Sequence, residues 1–394
     1  MKLRSIEHVP IAGKRVLVRV DFNVPMVEDR ITDDTRVRAA LPTIEHLCAG
    51  RAKVVLISHL GRPKGAPSAD LSLRPVATLL ASLLGRPVTF VPSVVGPEVL
   101  DAIGVLPEGG VALLENLRFE PGEEKNDPEF ARRLAALADL YVDDAFGAAH
   151  RAHASTVGVT AFLPSYAGFL MAEEVSVLAR LVDAPPKPFV AILGGAKVSD
   201  KIGVVTRLLD KVDTLLIGGG MANTFLLAQG VDVGASLAEA AFVEEACRAL
   251  DGAAALGVAI ILPSDAVVAE SIADPGRTVP IGAVGSSAIF DIGPETVAAF
   301  SETIREARTV FWNGPMGVFE RPAFAEGTRA IAASVAESGA FTVVGGGDSV
   351  AAIEQMGLAA KISHISTGGG ASLEYVDGRT LPGLAVLVDA PEAE

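Results

Sequence analysis

The chain has 394 residues, of which 50% are hydrophobic and 21% charged, a globular composition with apolar material for two cores. A formal net charge of −15 argues against a nucleic-acid partner. The charge is uneven: the first 187 residues hold 21 basic and 23 acidic side chains and the rest hold 12 and 25; the locally basic N-terminal region suits a small anionic ligand, although by counts alone ordinary scatter of surface charge is the favoured reading.

The N-terminal MKLRSIEHVP lacks the apolar core of a secretory signal, and a cytoplasmic protein is expected. Strands are predicted over Arg15–Val20, Lys53–Ser58, Val88–Val91, Val111–Leu114 and Leu140–Val142, with helices between them at Arg36–Leu47, Leu73–Leu84 and Pro128–Ala138. Val/Ile/Leu-rich strands alternating with helices mean parallel sheets covered on both faces. In VLVRVDFNVP, Arg19, Asp21 and Asn23 alternate and share one strand face. A charge on a buried strand requires a partner, either an ion pair or a ligand. Arg36 opens a helix, and His59 and Arg62, then Arg118, then His150, Arg151 and His153 each follow a strand. That is the side of an open sheet on which ligands bind, and Arg suits phosphate or carboxylate. The histidines lack the spacing of a metal site. Cys48 and Cys247 belong to no CxxC or Cys/His cluster and read as reduced thiols. The charge-free stretch from Ala154 to Met171 is interrupted by Ser, Thr and Pro, so no membrane span or membrane partner is expected.

A helix over Glu173–Val182 ends at Ala184-Pro185-Pro186-Lys187-Pro188, a domain joint. This sets a first domain at 1–172, a connecting helix and hinge at 173–187 and a second domain from 188.

Beyond the joint, strands are predicted at Phe189–Leu193, Thr214–Ile217, Val258–Leu262, Val310–Trp312, Thr342–Val344 and Ile362–Ile365. The helices are Ser199–Val212, Leu237–Leu256, Pro294–Ala307 and Ala323–Ser338. Glycine runs follow four strands, at 194–195, 218–220, 345–347 and 368–370. Glycine lets backbone N–H groups approach a phosphate at a helix start, and four such turns in one sheet favour a nucleotide or polyphosphate site. Neither GxxxxGK[ST] nor a GxGxxG after a strand is present, which disfavours Walker-type ATPases and dinucleotide dehydrogenases. Lys197 and Lys201 are expected on one face at the start of a helix, where cations oppose the macrodipole unless an anion joins them. Asp348 reads as a helix N-cap, a Mg²⁺ contact beside phosphates, or both.

Taken together, the residues resemble the phosphoglycerate kinase family over essentially the full length and in order. The carrying motifs are RVDFNVP at 19–25, SHLGRP at 58–63, ENLRF at 115–119 and DAFGAAHRAHAS at 144–155, then GGAKVSDKI at 194–202, WNGPMGVFE at 312–320, GGGDS at 345–349 and STGGGASLE at 366–374. The resemblance implies an α/β protein of two Rossmann-like domains separated by a cleft and hinge. The N-terminal domain takes 3-phosphoglycerate or 1,3-bisphosphoglycerate through Asp21, Asn23, Arg36, His59, Arg62, Arg118 and Arg151. The C-terminal domain, 188–380, takes ATP or ADP with Mg²⁺ through Lys197, Lys201, Asn313, Glu320, Gly346, Gly347, Asp348 and Ser349. Glu320 is similar to the family's ribose-binding glutamate and Asp348 to its metal-linked aspartate. A tail, 381–394, returns to the first domain, and a monomer is expected. Two departures stand out: Ser349 replaces a frequent Thr, keeping the hydroxyl, and IFDIGP at 289–294 replaces GLDIGP, so that Ile289 narrows the wall near the base or ribose.

The implied reaction moves a phosphoryl group between an acyl phosphate and ADP. Its reverse acceptor is a carboxylate already ionised at neutral pH, so no general base is needed. Catalysis is then positioning and charge neutralisation, with Arg36, Lys201 and the backbone N–H groups of Gly346 and Gly369 at the transferring group. The alternative is a two-domain anion-binding protein without catalysis, which leaves the nucleotide-like turns unexplained.

Overall fold

A computed structural model describes residues 2–28 and 30–389. The chain divides into two units, one formed by residues up to Ser176 together with those from Thr380 onward, the other by Val177–Arg379.

The first unit contains β1 (Arg15–Val20), a short hairpin of β2 (Met26–Val27) and β3 (Arg30–Ile31), β4 (Lys53–Ile57), β5 (Val88–Val91), β6 (Val111–Leu114), β7 (Leu140–Asp144) and β8 (Ser165–Ala167). Six of these make a parallel sheet ordered β5-β6-β4-β1-β7-β8. Successive side chains on a strand point to opposite faces, and both faces are apolar. Val16, Val18, Val54 and Leu56 pack on one side; Leu17, Val55, Ile57 and Ala112 pack on the other. The first face is covered by α1 (Thr35–Ala39), α2 (Leu41–Ala49) and α3 (Arg74–Leu84), the second by α4 (Pro97–Gly104) and α5 (Pro128–Ala135). The helix expected over Arg36–Leu47 is therefore two, broken at Ala40 just before Pro42. The connecting helix α6 (Phe169–Val182) starts four residues before the expected Glu173, and the two units divide within it.

The second unit repeats the plan with β9 (Phe189–Leu193), β10 (Thr214–Ile217), β11 (Ala259–Ile261), β15 (Thr309–Asn313), β16 (Phe341–Gly345) and β17 (His364–Ile365), parallel in the order β11-β10-β9-β15-β16-β17. Its helices are α7 (Ile202–Leu208), α8 (Gly219–Ala228), α9 (Val243–Leu256), α10 (Pro294–Glu306), α11 (Glu326–Glu337), α12 (Gly347–Gln355) and α13 (Gly370–Val376). Ile192, Val310 and Trp312 pack beneath Phe300, Ile331 and Ile353. A further antiparallel sheet, β12 (Asp265–Ala269) between β13 (Arg277–Pro280) and β14 (Ala288–Ile292), is absent from the sequence expectation. It has its own small core around Leu226, Val268 and Val284.

The last described element, α14 (Pro382–Ala385), packs in the first unit. Arg4 N–H donates to Leu387 O, and Leu3 bridges to Val388. Residues 390–394 of the expected tail lie outside the described residues. Among the described residues no helix is long and apolar enough to cross a membrane.

Candidate functional site

Each unit carries its own group of polar residues at the carboxyl ends of its sheet, and each group lies where strand order reverses, the place open α/β sheets leave for ligands.

In the first unit the reversal lies between β1 and β7. The exit of β1 supplies Asp21 and Asn23. The Asn23 Oδ1 accepts from Gly61 N at 2.9 Å, fastening this loop to the one after β4. Arg36, the second residue of α1, donates from Nη1 to Asp21 Oδ2 at 3.2 Å and to Asn23 O at 3.1 Å. His59, just past β4, is buried, with Nδ1 3.9 Å from Asp21 Oδ1. Burial first, then the charges of Arg19, Arg118 and Arg36, hold its pKa well below the ordinary imidazole value, so it is a neutral polar group. Arg62 is exposed in the same loop. Arg118 is buried; its Nη1 donates to Gly61 O at 2.7 Å and its Nε lies 3.2 Å from Glu124. Arg151, after β7, donates from Nε to His150 Nε2 at 2.9 Å. The loops that carry these arginines are locked by Asn116, whose amide bridges Leu60 O and Leu71 O while its Oδ1 accepts from Leu60 N and Arg118 N. Sequence reasoning passed over Asn116; its place between Glu115 and the Leu-Arg-Phe turn was the available signal.

Arg19 is the residue of this region that the sequence left undecided. It is only 1% exposed, so it is no ligand-facing charge. Its partners are Ser155 Oγ at 2.9 Å, Val20 O and His59 Nδ1 at 3.0 Å.

In the second unit strand order reverses between β9 and β15, and Lys201 sits there. Its Nζ donates to Gly194 O at 2.7 Å, Asn313 O at 3.0 Å and Asn313 Oδ1 at 2.8 Å. Burial pulls its pKa from 10.5 down to about 8, opposed by Asp348 and Asp200. The expected helix from Ser199 instead begins at Ile202, with Lys201 in the N-cap position and Lys197 exposed in the preceding loop. The two lysines therefore do not share a helix face. The reason is the glycine turn before them: Gly195 has φ +105°, and the loop runs on to Lys201 instead of coiling at once.

The four glycine runs separate into two kinds. A Cβ at Gly194 would run into Pro315 O, and one at Gly218 into the Met316 sulfur; these glycines serve close packing between loops. At Gly347 and Gly369 a Cβ would meet nothing within 4 Å, and Gly346 has φ +87° and Gly369 φ +52°. Gly346 and Gly369 are the N-caps of α12 and α13, neither helix having a side-chain cap. The start of α12 thus presents N–H groups to a ligand, whereas in α13 Ala371 N already donates to Gly368 O at 2.9 Å. Asp348 lies in the first turn of α12, not at its N-cap. Ser349 is fully buried, its Oγ accepting from Gly314 N at 2.6 Å, so this oxygen fixes the turn after β15. Asn313 Nδ2 is buried without a hydrogen-bond partner.

Beside these groups opens a cavity of about 630 Å³. Its walls are largely apolar, from Leu226 on α8, Leu237, Ile289 and Phe290 on β14, and Val318, with Glu320 and Asp348 adding carboxylates. Apart from Ile289, these apolar walls were not read from the sequence: Phe290 and Val318 lie within quoted motifs but were given no role, and Leu226 and Leu237 come from distant segments. Among the described residues no cluster of three or more His, Cys, Asp or Glu could hold a metal alone. Asp348 beside phosphate oxygens is the donor set Mg²⁺ accepts, since that ion keeps water and substrate oxygens in its shell.

The family model that matches the chain is that of phosphoglycerate kinase, over residues 6–379. The chain is 57% identical to the phosphoglycerate kinase of Herpetosiphon aurantiacus, over 99% of this chain and 100% of that protein. It is 56% identical to the one of Thermomicrobium roseum, over 98% and 100%. Among solved structures, the phosphoglycerate kinase of Coxiella burnetii superimposes with a TM-score of 0.87 at 43% identity, covering 98% of this chain and 99% of that one. The enzyme of Pyrococcus horikoshii gives 0.87 at 36%, covering 98% of each.

Proposed function

The chain belongs to the phosphoglycerate kinase family, and from that premise we propose which of its residues perform the reaction and how. The reaction is reversible phosphoryl transfer between 1,3-bisphosphoglycerate and ADP, giving 3-phosphoglycerate and ATP; the enzyme is a phosphotransferase with a carboxyl acceptor, and an anion binder without catalysis is not favoured.

The first unit takes the glycerate substrate. Arg62, Arg118 and Arg151, with the neutral His59, bind its phosphate, while Asp21 and Asn23 position the loop and orient the remainder. The second unit takes the nucleotide. The base enters the apolar cavity, Glu320 meets the ribose, and the N–H groups at the start of α12 receive phosphate oxygens with Lys197, Lys201 and Asn313. Ser349 acts indirectly, through the Gly314 turn. Asp348, with the phosphates, would hold Mg²⁺, which would supply charge neutralisation. Arg36, Lys201 and the N–H groups of Gly346 and Gly369 stabilise the transferring phosphoryl group, whose charge is spread over its equatorial oxygens. The acceptor carboxylate is ionised at neutral pH, so these residues have no proton to remove. We also place the enzyme in the cytoplasm as a monomer; its two cysteines are free, in keeping with a reducing compartment, and sedimentation velocity tests the second point.

The observation that carries this reading is Lys201, held at the strand-order reversal beside Asn313 and the open glycine start of α12. A coupled assay with ATP, Mg²⁺ and 3-phosphoglycerate tests it: turnover is expected with 3-phosphoglycerate and absent when that acid is replaced by acetate. Binding of both ligands with no turnover would sink the assignment.

A further inference from the structure

A buried chain of side chains runs beneath the first unit's arginines and ends on His59. Glu123 is fully buried in the turn after the ENLRF motif. Its Oε1 accepts from Ser155 Oγ at 2.6 Å and its Oε2 from Ser155 N at 3.0 Å. A serine hydroxyl has one proton, and here it is committed to the carboxylate. The oxygen's lone pairs are left for Arg19, whose Nε donates to it at 2.9 Å. Arg19 Nη1 donates to Val20 O. With two donors tied, the guanidinium plane is fixed, and Nη2 lies 3.0 Å from His59 Nδ1. A guanidinium offers donors only. Nδ1 is therefore the acceptor and the ring proton sits on Nε2.

We infer that Glu123 and Ser155 are positioning residues for the substrate site: through Arg19 they hold His59 as the neutral Nε2–H tautomer and so present a hydrogen-bond donor to the substrate's phosphate. The inference rests on the reading above that sets His59 against that phosphate. The groups facing the imidazole are Arg19 and Asp21 from β1 and its exit, Arg36 from α1, Arg118 after β6 and His153 after β7. One carboxylate among three guanidinium groups leaves protonation disfavoured. A free imidazole would change charge near neutral pH and make phosphate affinity follow it. A fixed neutral donor gives the same hydrogen bond on both sides of that pH.

The test is nitrogen-15 NMR of the histidines in the full-length protein, with His59→Gln assigning the resonances. Wild-type His59 is expected to show the Nε2–H pattern, unchanged between about pH 5.5 and 8.5, the range in which a free imidazole titrates. In Ser155→Ala and in Glu123→Gln, burial and the arginines still keep His59 neutral, but the single Nε2–H pattern is expected to give way to a mixture of the two neutral tautomers. KM for 3-phosphoglycerate should rise by up to about tenfold, the weight of one lost hydrogen bond to a charged group, with kcat little changed. Wild-type-like dispersion of the first-unit amide resonances in the same samples shows that each variant is folded, and either variant suffices. An Nδ1–H tautomer in the wild type, or a single Nε2–H pattern persisting in the variants, overturns the inference. Adding 3-phosphoglycerate to the wild type should shift the Nε2 resonance. If the resonance stays put while the variants still show mixed tautomers, the relay stands and the assignment of His59 to the substrate phosphate falls.

Discussion

Arg36 reaches the site because α1 begins immediately after the loop that follows β1, and in the free protein its guanidinium leans on Asp21 and Asn23. An arginine that stabilises the transferring phosphoryl group is worth roughly 10³-fold or more in kcat. Arg36→Ala should lose about that much while its melting curve stays near wild type, since the Asp21 pair is partly solvated and contributes little. A variant with near-normal kcat would remove Arg36 from the mechanism. Lys201 and Lys197 make a sharper comparison. Lys201 is held by three oxygens and Lys197 stands in solvent, so Lys201→Ala should impair turnover more than Lys197→Ala, and equal losses in steady-state kinetics would count against the ranking. Lys201 also predicts a pH dependence. Burial lowers its pKa to about 8, so the free enzyme loses that charge as pH rises through 8. Nucleotide kcat/KM, which reports the free enzyme, should fall there. The decline in kcat should come at higher pH, because bound polyphosphate favours the charged lysine. Stability without ligand runs the other way. The native state sheds the proton before the unfolded chain does, so the unfolding free energy gains between about pH 8 and 10.5.

At the level of elements, the parallel strands were the legible part. Arg15–Val20, Val88–Val91, Val111–Leu114, Phe189–Leu193 and Thr214–Ile217 run as expected, because strands buried on both faces read as largely apolar runs; only the edge strand Val88–Val91, with Thr89 exposed, was legible without such burial. The antiparallel sheet was not legible. β13 is four residues ending in Pro280 and gives no apolar run, and β12 offers only Ala266–Ala269 after a charged Asp265, too little to mark a separate sheet. Asp265 shows how the structure uses that apparent defect. Its Oδ2 accepts from Glu295 N at 3.0 Å, and its Oδ1 from Thr296 N at 2.8 Å and Thr296 Oγ1 at 2.7 Å. It thus caps α10 from a neighbouring strand and ties the small sheet, with the Ile289 wall, to the main one. Asp265→Ala removes a cap and leaves buried donors unmet, at a cost of about 2–4 kcal/mol. Urea denaturation followed through Trp312, in the core beneath α10, measures it; a loss below about 0.5 kcal/mol, the scale of an ordinary surface change, would show that the cap is dispensable.

Across the whole chain, what could be read in advance was whatever sits close in sequence: each arginine directly after its own strand, each glycine run before its helix. What could not be read was assembled from remote pieces, such as the cavity walls from α8 and β14, or Ser155 reaching Glu123. The return of the C-terminal segment is of this second kind when judged by pattern alone, since 380–389 carries no strand or long helix signal. It nevertheless belongs to the first unit. Leu384 and Leu387 are buried, Gly383 N–H donates to Ala149 O at 2.9 Å, and Arg4 Nη2 donates to Val386 O at 2.6 Å. Ala149 lies two residues before Arg151, so the segment supports the loop that carries a substrate arginine. Ending the chain at Arg379 uncovers the surface beneath three leucines, Leu381, Leu384 and Leu387, each worth about 1.5–3 kcal/mol, and frees the loop after β7. The expected outcome is a first unit destabilised by several kcal/mol, with weakened 3-phosphoglycerate binding, while the second unit binds ADP with unchanged affinity because the segment removed belongs to the first. Isothermal titration with each ligand separates the two effects. Equal loss of both affinities would mean that the units do not hold their ligands independently, and undiminished affinity for 3-phosphoglycerate would mean that the loop stands without the returning segment.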